Sequence, residues 1–141
     1  MYCSQADITA AISEDVLIQL TDDDNAGVIN QASVTAAIAQ ADAEIDGYCG
    51  ARYTVPFVTV PAVVKALSIE IAVYYLYKRR TVPEKIEKAY DKAIAKLKDI
   101  SRGLLSLGVA DPPPAATSAG GAESNKPVSD RVFTRDKMTG F

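Results

Sequence analysis

An acidic stretch in the first quarter of the chain has the spacing of a calcium-binding loop. Asp22 and Asp24 stand at the first and third loop positions, and Gly27 supplies the turn at the sixth. Two ligand positions do not fit, because the fifth is Ala26 and the twelfth is Ser33, where such loops carry a bidentate Glu. We interpret the stretch as a turn whose Asp and Asn side chains accept local backbone hydrogen bonds and cap the next helix. Calcium binding is the lesser alternative.

Other residues that could do chemistry form no familiar catalytic arrangement. The chain contains no histidine, which removes Ser-His-Asp and Cys-His nucleophile activation and the usual zinc and iron ligand sets. Asp42, Glu44 and Asp46 fall on more than one face of a predicted helix, so they make no acid–base pair. We expect no enzymatic activity and no cofactor. An enzyme based on carboxylates or lysine would need a pocket with at least two strongly shifted titratable groups.

Two further groups of residues favour structural roles. The N-terminus lacks a basic start followed by an apolar stretch, so we expect the chain to be made and used in the cytosol, where thiols stay reduced. Cys3 and Cys49 are therefore expected to be small buried thiols, with a disulfide as the lesser alternative. The tyrosines are interpreted as core and interface residues, and a base-stacking platform is the weaker interpretation: Tyr74, Tyr75, Tyr77 and Tyr90.

The elements that carry these residues are predicted to be helices. With 141 residues, 48% of them apolar and 23% charged, the chain suits one globular domain plus some extra. Apolar residues recur every three or four positions. The predicted set is a first helix opened by a Ser4–Asp7 capping box, a short helical turn at 16–20, and helices at about 33–49, 61–80 and 83–108.

Details of the longer helices are also predicted. Pro61 and Pro83 are each expected in a first turn, and Thr81 with Glu84 is expected to form a capping box. The apolar stripe after Pro61 predicts the most buried helix. Residues 51–60 look extended and are interpreted as a connecting arm, or as an edge that pairs with another chain. The fold prediction is thus all-α, a four-helix core with an extended arm and an extended C-terminal tail.

Composition divides the chain into three regions. Residues 1–108 are the predicted helical domain, 109–127 a linker rich in proline, glycine and serine, and 128–141 a C-terminal docking segment. The last region returns to a dense mix of aromatic and charged residues. A linker followed by a compact motif is typical of a tethered docking peptide. A disordered tail is the alternative.

Charge is distributed unevenly along the chain, whose net charge is −3. Residues 1–77 carry ten acidic and two basic residues, whereas residues 78–108 carry nine basic and four acidic ones. One interpretation is a solvated helix of mixed charge. Another is complementarity between neighbouring copies, in which the acidic face of one subunit meets the basic face of the next. Nucleic-acid binding is the weakest, because the chain as a whole is acidic.

Several stretches in this order and spacing resemble a known family. They are MYCSQADI, LIQLTDDDNAGVIN, ADAEIDGYCGARYTVPF, YYLYKRR and RVFTRDKMTGF. The sequence resembles the Mu-like prophage head-completion proteins, which are similar to the head–tail adaptors, or neck connectors, of long-tailed phages. The resemblance implies a ring of small helical subunits, expected to number twelve, beneath the portal protein in the virion neck.

The resemblance also implies partners and contact residues. The ring would extend the DNA channel without sequence-specific binding, meet downstream neck or tail-terminator proteins, and assemble in the host cytoplasm away from any membrane. A C-terminal segment would reach into the portal through Arg131, Phe133, Arg135, Asp136, Lys137 and Phe141. Candidate contacts between subunits are Asp42, Asp46, Arg52, Tyr53, Lys78, Arg79 and Arg80. The alternative is a monomeric cytosolic helical module with a binding or regulatory role, indifferent to portal protein.

Overall fold

The computed structural model describes residues 1–23 and 25–109, which contain helices and no strand. The five helices are α1 (Gln5–Ile12), α2 (Glu14–Thr21), α3 (Gln31–Cys49), α4 (Ala62–Lys78) and α5 (Glu84–Ser101). The all-α prediction is confirmed. The short turn expected after Ser13 is a complete helix of 8 residues, so the described core has five helices where four were predicted. Residues 110–141, with most of the predicted linker and the whole docking segment, lie outside the described residues.

Helix α1 begins with the predicted capping box. The Ser4 hydroxyl accepts the Asp7 N–H at 3.3 Å, and the Asp7 carboxylate accepts the Ser4 N–H at 3.0 Å. Lys65 of α4 places its Nζ 2.9 Å from the same carboxylate. The bond to Lys65, followed by those to Ser4, lowers the pKa of Asp7 to about 2. One carboxylate therefore both opens α1 and connects it to α4.

The starts of α4 and α5 differ from the prediction. Pro61 and Pro83 occupy the N-cap positions, with extended ψ angles of 145° and 143°, and not the first helical turn. Neither start has a side-chain cap. The predicted Thr81–Glu84 capping box is wrong, because a capping box needs the Thr at the N-cap. Thr81 lies two residues before that position, and proline has no side-chain acceptor to replace it.

The end of α5 also comes earlier than predicted. The helix stops at Ser101 instead of reaching Gly108, and Gly103 follows it with a φ angle of +76°. The N–H of Leu104 returns to the carbonyl of Asp99 at 2.8 Å, which closes the helix end. Leu104, which the predicted helix over 83–108 would have placed on its inner face, lies beyond the helix end and is 76% exposed.

Helix α4 is the central element, as the sequence predicted for the most buried helix. It packs against all four other helices, and seven of its 17 residues are buried. The apolar stripe predicted after Pro61 comprised Val63, Val64, Leu67, Ile71, Tyr74 and Tyr75. It is only partly buried: Val63 is exposed and the two tyrosines are half-buried, whereas Val73 and Leu76, outside the stripe, are buried. Contact on several sides leaves α4 no single apolar stripe. None of the helices in ranges 1–23 and 25–109 is long and apolar enough to cross a membrane.

The segment 51–60 is a connecting arm between α3 and α4. It contains turns and bends but no strand. Phe57 lies half-buried against Tyr2 and Tyr53, with ring centroids 5.7 Å and 6.2 Å away. At the tip of the arm, Val58 is fully exposed. The arm is thus fixed at its middle by aromatic contacts with other residues of the same chain.

The two glycines Gly103 and Gly47 should respond to alanine in opposite directions. Gly103→Ala places a Cβ in a left-handed conformation and within 1.8 Å of the Arg52 guanidinium, so we expect a loss of about 1 kcal/mol in the free energy of unfolding. Gly47 lies inside α3, where an alanine Cβ would meet nothing within 4 Å. Gly47→Ala should therefore stabilise the protein by about 0.5–1 kcal/mol. Chemical denaturation measures both, and effects of the same sign would contradict the assigned helix end.

Candidate assembly surfaces

The seven predicted inter-subunit residues lie in two separate places. One set lies on α3 and the arm that follows it, and the other lies at the end of α4: Asp42, Asp46, Arg52 and Tyr53, then Lys78, Arg79 and Arg80. The groove between α3 and α4 brings Ser33 beside Lys78, so the two helices run antiparallel. The two sets therefore lie toward opposite ends of this helix pair.

Asp42 holds the N-terminal residues against α3 and α4. Its carboxylate oxygens accept the Tyr2 N–H at 3.1 and 3.2 Å, and the amine of Met1 lies 3.4 Å away. The Ser68 hydroxyl of α4 lies 3.2 Å from both Asp42 Oδ1 and Cys3 Sγ. The Asp42 side chain is 15% exposed, so most of its surface is covered by residues of the same chain.

Asp46 lies one turn further along α3 and contacts the same residue. The Tyr2 hydroxyl donates to the Asp46 carboxylate and accepts the N–H of Phe57 at 3.1 Å. Burial raises the pKa of Tyr2 to about 12, and the hydrogen bond to Asp46 adds to this effect. Tyr2 was not singled out from the sequence. The available signal was the four-residue spacing of Asp42 and Asp46, which places both on one face of α3.

The two arm residues of the first set also have partners within the subunit. Tyr53 is 4% exposed, and its hydroxyl accepts the N–H of Leu107 at 3.3 Å. The Arg52 guanidinium lies over the Tyr53 ring, with its carbon 5.9 Å from the ring centroid, and also beside Gly103. These contacts join the arm to the segment after α5.

Both thiols are buried and form no disulfide, as predicted. Burial raises the pKa of Cys3, and it raises the pKa of Cys49 to about 11. A protonated thiol in an apolar environment is a weak nucleophile. The two cysteines therefore act as small core side chains.

The second set fixes the acidic turn that follows α2. Arg79 donates to the Leu20 carbonyl at 3.3 Å and pairs with Asp23. Arg80 donates to the Asp22 carbonyl at 3.1 Å and lies 3.6 Å from Asp23. The basic end of α4 thus neutralises part of the acidic segment that precedes α3 in the same chain.

The turn itself is held by its own side chains. The Asp22 carboxylate accepts the N–H groups of Ala26 and Gly27 at 2.9 and 2.7 Å. Asn30 caps α3 by accepting the N–H groups of Ala32 and Ser33 at 3.0 and 3.2 Å. The interpretation of a capped turn is confirmed, and no group of acids or thiols able to hold a metal occurs in the described ranges. Asp24 lies outside them.

Glu44 joins three helices through two tyrosines. The hydroxyls of Tyr75 on α4 and Tyr90 on α5 each donate to its carboxylate at 3.0 Å. The rings of Tyr74 and Tyr90 stack with centroids 3.9 Å apart. Burial and then the bond to Glu44 raise the pKa values of Tyr75 and Tyr90. These half-buried rings pack the helices together, which agrees with the predicted core role.

Two grooves lie along α4, one between α4 and α3 and the other between α4 and α5. The first, about 580 Å³, lies between α3 and α4, and Tyr75, Lys78 and Arg79 form part of its wall. The Lys78 amine lies 5.8 Å from the centroid of the Tyr75 ring. The second groove, about 510 Å³, lies between α4 and α5 and has a basic wall: Lys85, Lys88, Lys92 and Lys96, with Glu70, Glu84 and Ala89. None of the residues that line this lysine groove was among the predicted contact residues.

Comparison with known proteins identifies the family to which the chain belongs. The family model described as Bacteriophage Mu, Gp36 matches residues 2–126 of the chain. The chain belongs to the bacteriophage Mu Gp36 family. It is 30% identical over 141 residues to the Mu-like prophage FluMu protein gp36 of Haemophilus influenzae, covering 100% of this chain and 98% of that protein. It is 32% identical over 116 residues to Gene product J of Escherichia phage Mu, covering 82% of this chain and 79% of that protein.

Membership of the Gp36 family confirms the resemblance to Mu-like prophage proteins. The contacts between subunits and with other proteins remain predictions. The six predicted portal-binding residues lie between 131 and 141, outside the described residues. The FluMu gp36 alignment nevertheless extends over this whole chain, including that segment.

Tyr2→Phe should destabilise this Gp36-family protein by about 1–2 kcal/mol at neutral pH. The change keeps the ring but leaves the Asp46 carboxylate and the Phe57 N–H without their partner. Tyr77→Phe is the matched control, since the Tyr77 hydroxyl makes no hydrogen bond within the described residues. Urea denaturation gives the two free energies of unfolding. Equal losses would mean that the Tyr2 hydroxyl does not join the arm to α3.

Alkaline titration should reveal the tyrosines held by Glu44. Because the folded-state pKa of Tyr90 lies above its ordinary value of 10.0, its contribution to stability is complete below pH 10.0 and declines as the pH rises through the folded pKa. Ultraviolet difference spectra between wild type and Tyr90→Phe isolate this ionisation. Glu44→Gln should shift it to lower pH, whereas Glu87→Gln, an exposed change on α5, should not. Identical titrations in wild type and Glu44→Gln would contradict the assignment.

Proposed function

We propose that this protein is a structural connector between the head and tail of a phage particle. Its subunits assemble beneath the portal into a closed ring of about twelve, the number that the resemblance to neck connectors implies. The ring extends the DNA channel in the virion neck and presents a surface to downstream neck or tail-terminator proteins. It performs no catalysis, and DNA passes without sequence-specific contacts.

The observation that carries this proposal is membership of the Mu Gp36 family, with FluMu gp36 aligned over the full chain. An all-α protein of 141 residues from a phage family has a suitable size for one subunit of a phage particle. The resemblance to head–tail adaptors rests on the stretches from MYCSQADI to RVFTRDKMTGF. The FluMu gp36 alignment includes both the N-terminal stretch that binds α3 and the C-terminal stretch.

The use of polar groups inside the subunit supports a structural role. Groups with shifted pKa values join elements to one another: Tyr2 connects the arm to α3, Asp7 connects α1 to α4, and Tyr90 connects α5 to α3. A catalytic site requires such groups to converge on one pocket. In the described residues, the grooves between α3 and α4, between α4 and α5, and beside α1 and α2 each contain at most one of them.

The C-terminal region supports attachment to a larger partner. Its segment 128–141 has two aromatic residues, Phe133 and Phe141, and follows the linker at 109–127. Aromatic side chains suit partner pockets, and Arg131 and Arg135 suit bidentate pairing with carboxylates. A tethered segment of this kind binds at raised effective concentration once the domain has docked. We assign Arg131, Phe133, Arg135, Asp136, Lys137 and Phe141 to the portal.

The first test is the mass of the purified protein, alone and mixed with its cognate portal. Full-length chain should form rings or join the portal, and a truncation after Gly108 should bind at least about tenfold more weakly, since it loses both aromatic anchors. In the full chain, Phe133→Ala with Phe141→Ala should reproduce most of this loss. Mass photometry or light scattering measures both assembly and binding.

The matched control is a chain in which residues 111–127 are shuffled, which keeps the linker length and composition. It should bind the portal as the wild type does, because a spacer acts through its length. Full-length protein that remains monomeric and ignores the portal would contradict the connector role. That result would favour the monomeric cytosolic binding module.

A further inference from the structure

About half of the acidic side chains in the described residues already have partners within the chain. Asp7 binds Lys65, Asp23 binds Arg79 and Arg80, and Asp42, Glu44 and Asp46 accept hydrogen bonds described above. The exceptions at the surface include Glu14 and Asp15, which open α2. Both are exposed, and neither makes an ion pair or side-chain hydrogen bond within the described residues. They are charges available to another molecule.

The part of the chain that contains Glu14 and Asp15 contributes no basic side chain of its own, and part of its surface is apolar. Residues 1–30 contain six acids and no lysine or arginine. Glu14 lies at a shallow groove of about 490 Å³ shared with α1 and Ile29. The neighbouring Val28 is 61% exposed. We call this region, Glu14, Asp15, Val28 and Ile29, the acidic shoulder.

The lysine groove has the opposite character. Its lysines lie three or four positions apart on the outer face of α5, so they form a row about 16 Å long. All four lysines are exposed. Lys88 pairs with Glu84, while Lys85, Lys92 and Lys96 make no ion pair within the described residues. Their aliphatic stems give the groove an apolar floor beneath the charged ends.

The two surfaces lie on different sides of the subunit. Helix α2 packs on α1 and α4, whereas α5 packs on α3 and α4. Helix α4 thus separates the acidic shoulder from the lysine groove. Two complementary surfaces on different sides of one chain join copies head to tail, and such contacts form a closed ring when the rotation between copies closes.

We propose that the lysine groove of one subunit receives the acidic shoulder of the next. The inference rests on the proposed ring and names its contact surfaces. Lys92 and Lys96 face the carboxylates of Glu14 and Asp15, and Val28 packs against the lysine stems. The opposite charges steer neighbouring copies together and fix their register.

The composition of the groove favours a protein partner over DNA. Two carboxylates, Glu70 and Glu84, line it together with the four lysines. A duplex presents a continuous row of phosphates, which the two groove carboxylates would repel along its length, whereas a protein surface can place two carboxylates at the lysines and apolar side chains against the rest of the lining. The acidic shoulder of a neighbouring copy is such a surface. It is always present at the same concentration as the lysine groove, because both belong to the same chain.

Charge reversal in the full-length protein tests the pairing. Lys92→Glu with Lys96→Glu, and separately Glu14→Lys with Asp15→Lys, should each weaken assembly at least about tenfold, because attraction becomes repulsion. Mixing the two variants should restore assembly, since reversed lysines then meet reversed acids and the unchanged pair remains. Analytical ultracentrifugation at low and high salt measures the association, which should weaken as salt increases.

Two controls separate this contact from general effects of charge and folding. Lys98→Glu changes an exposed lysine of α5 outside the groove and should leave assembly unchanged. Glu14→Gln with Asp15→Asn should weaken assembly without repulsion, and circular dichroism checks that α2 still forms. Failure of the mixture to restore assembly, or normal assembly of both reversed variants, would overturn the interface.

The outcomes distinguish the interface from the ring itself. Assembly that is unaffected by charge reversal overturns this contact and leaves the connector role standing. A wild-type chain that stays monomeric with the portal overturns both. If Lys92→Glu with Lys96→Glu assembles normally but no longer retains duplex DNA in a mobility-shift assay, the groove binds nucleic acid and the proposed contact is wrong.

Discussion

Helix α4 contacts each of the other four helices, and this central position constrains everything around it. Its buried residues Val64, Leu67, Ile71 and Leu76 face several neighbours at once. Such a helix needs apolar or small side chains on most of its circumference, so charges are confined to its ends and to one exposed side. The basic end at Lys78–Arg80 is where α4 leaves the core, and it is there that α4 binds the acidic turn.

Polar contacts around that core hold the N-terminal residues, the arm and the helices in place. Asp42 and Asp46 hold the N-terminal residues and, through Tyr2, the arm that joins α3 to α4. Glu44, which points to another face of α3, holds Tyr75 and Tyr90. Removing the two donors would leave a half-buried carboxylate without hydrogen bonds, which costs free energy. These contacts therefore also fix the positions of the helices.

This arrangement clarifies how a subunit could keep separate surfaces for separate partners. Asp7, Asp23 and Asp42 have partners within the chain, whereas three of the four groove lysines and the two acids at the start of α2 are exposed and form no ion pair within the described residues. A protein that assembles with copies of itself needs two such complementary surfaces, while attachment to a different protein needs a third. In the proposed function, the C-terminal segment provides that third contact through its aromatic anchors.

Local features of the fold were predictable from the sequence, and long-range ones were not. The helices, the Ser4–Asp7 capping box and the capped turn at Asp22 were predicted because periodicity and capping act over three to five residues. The position of Gly103 as the end of α5 was missed in favour of Gly108, because both glycines suit a helix end. Only the close approach of Arg52, which lies far earlier in the chain, distinguishes Gly103.

The family and the all-α class were thus contained in the sequence, whereas the use of each charge was decided by tertiary structure. Asp42, Asp46 and Arg79 were predicted as contacts between subunits, yet each has partners inside the subunit that lie 40 or more residues away. Of the four groove lysines on α5, only Lys88 forms an ion pair within the described residues, although Glu70 of α4 lines the same groove. Local spacing explains a pair such as Glu84 and Lys88, which lie four residues apart on α5, but whether charges far apart in the chain are paired depends on which helices meet.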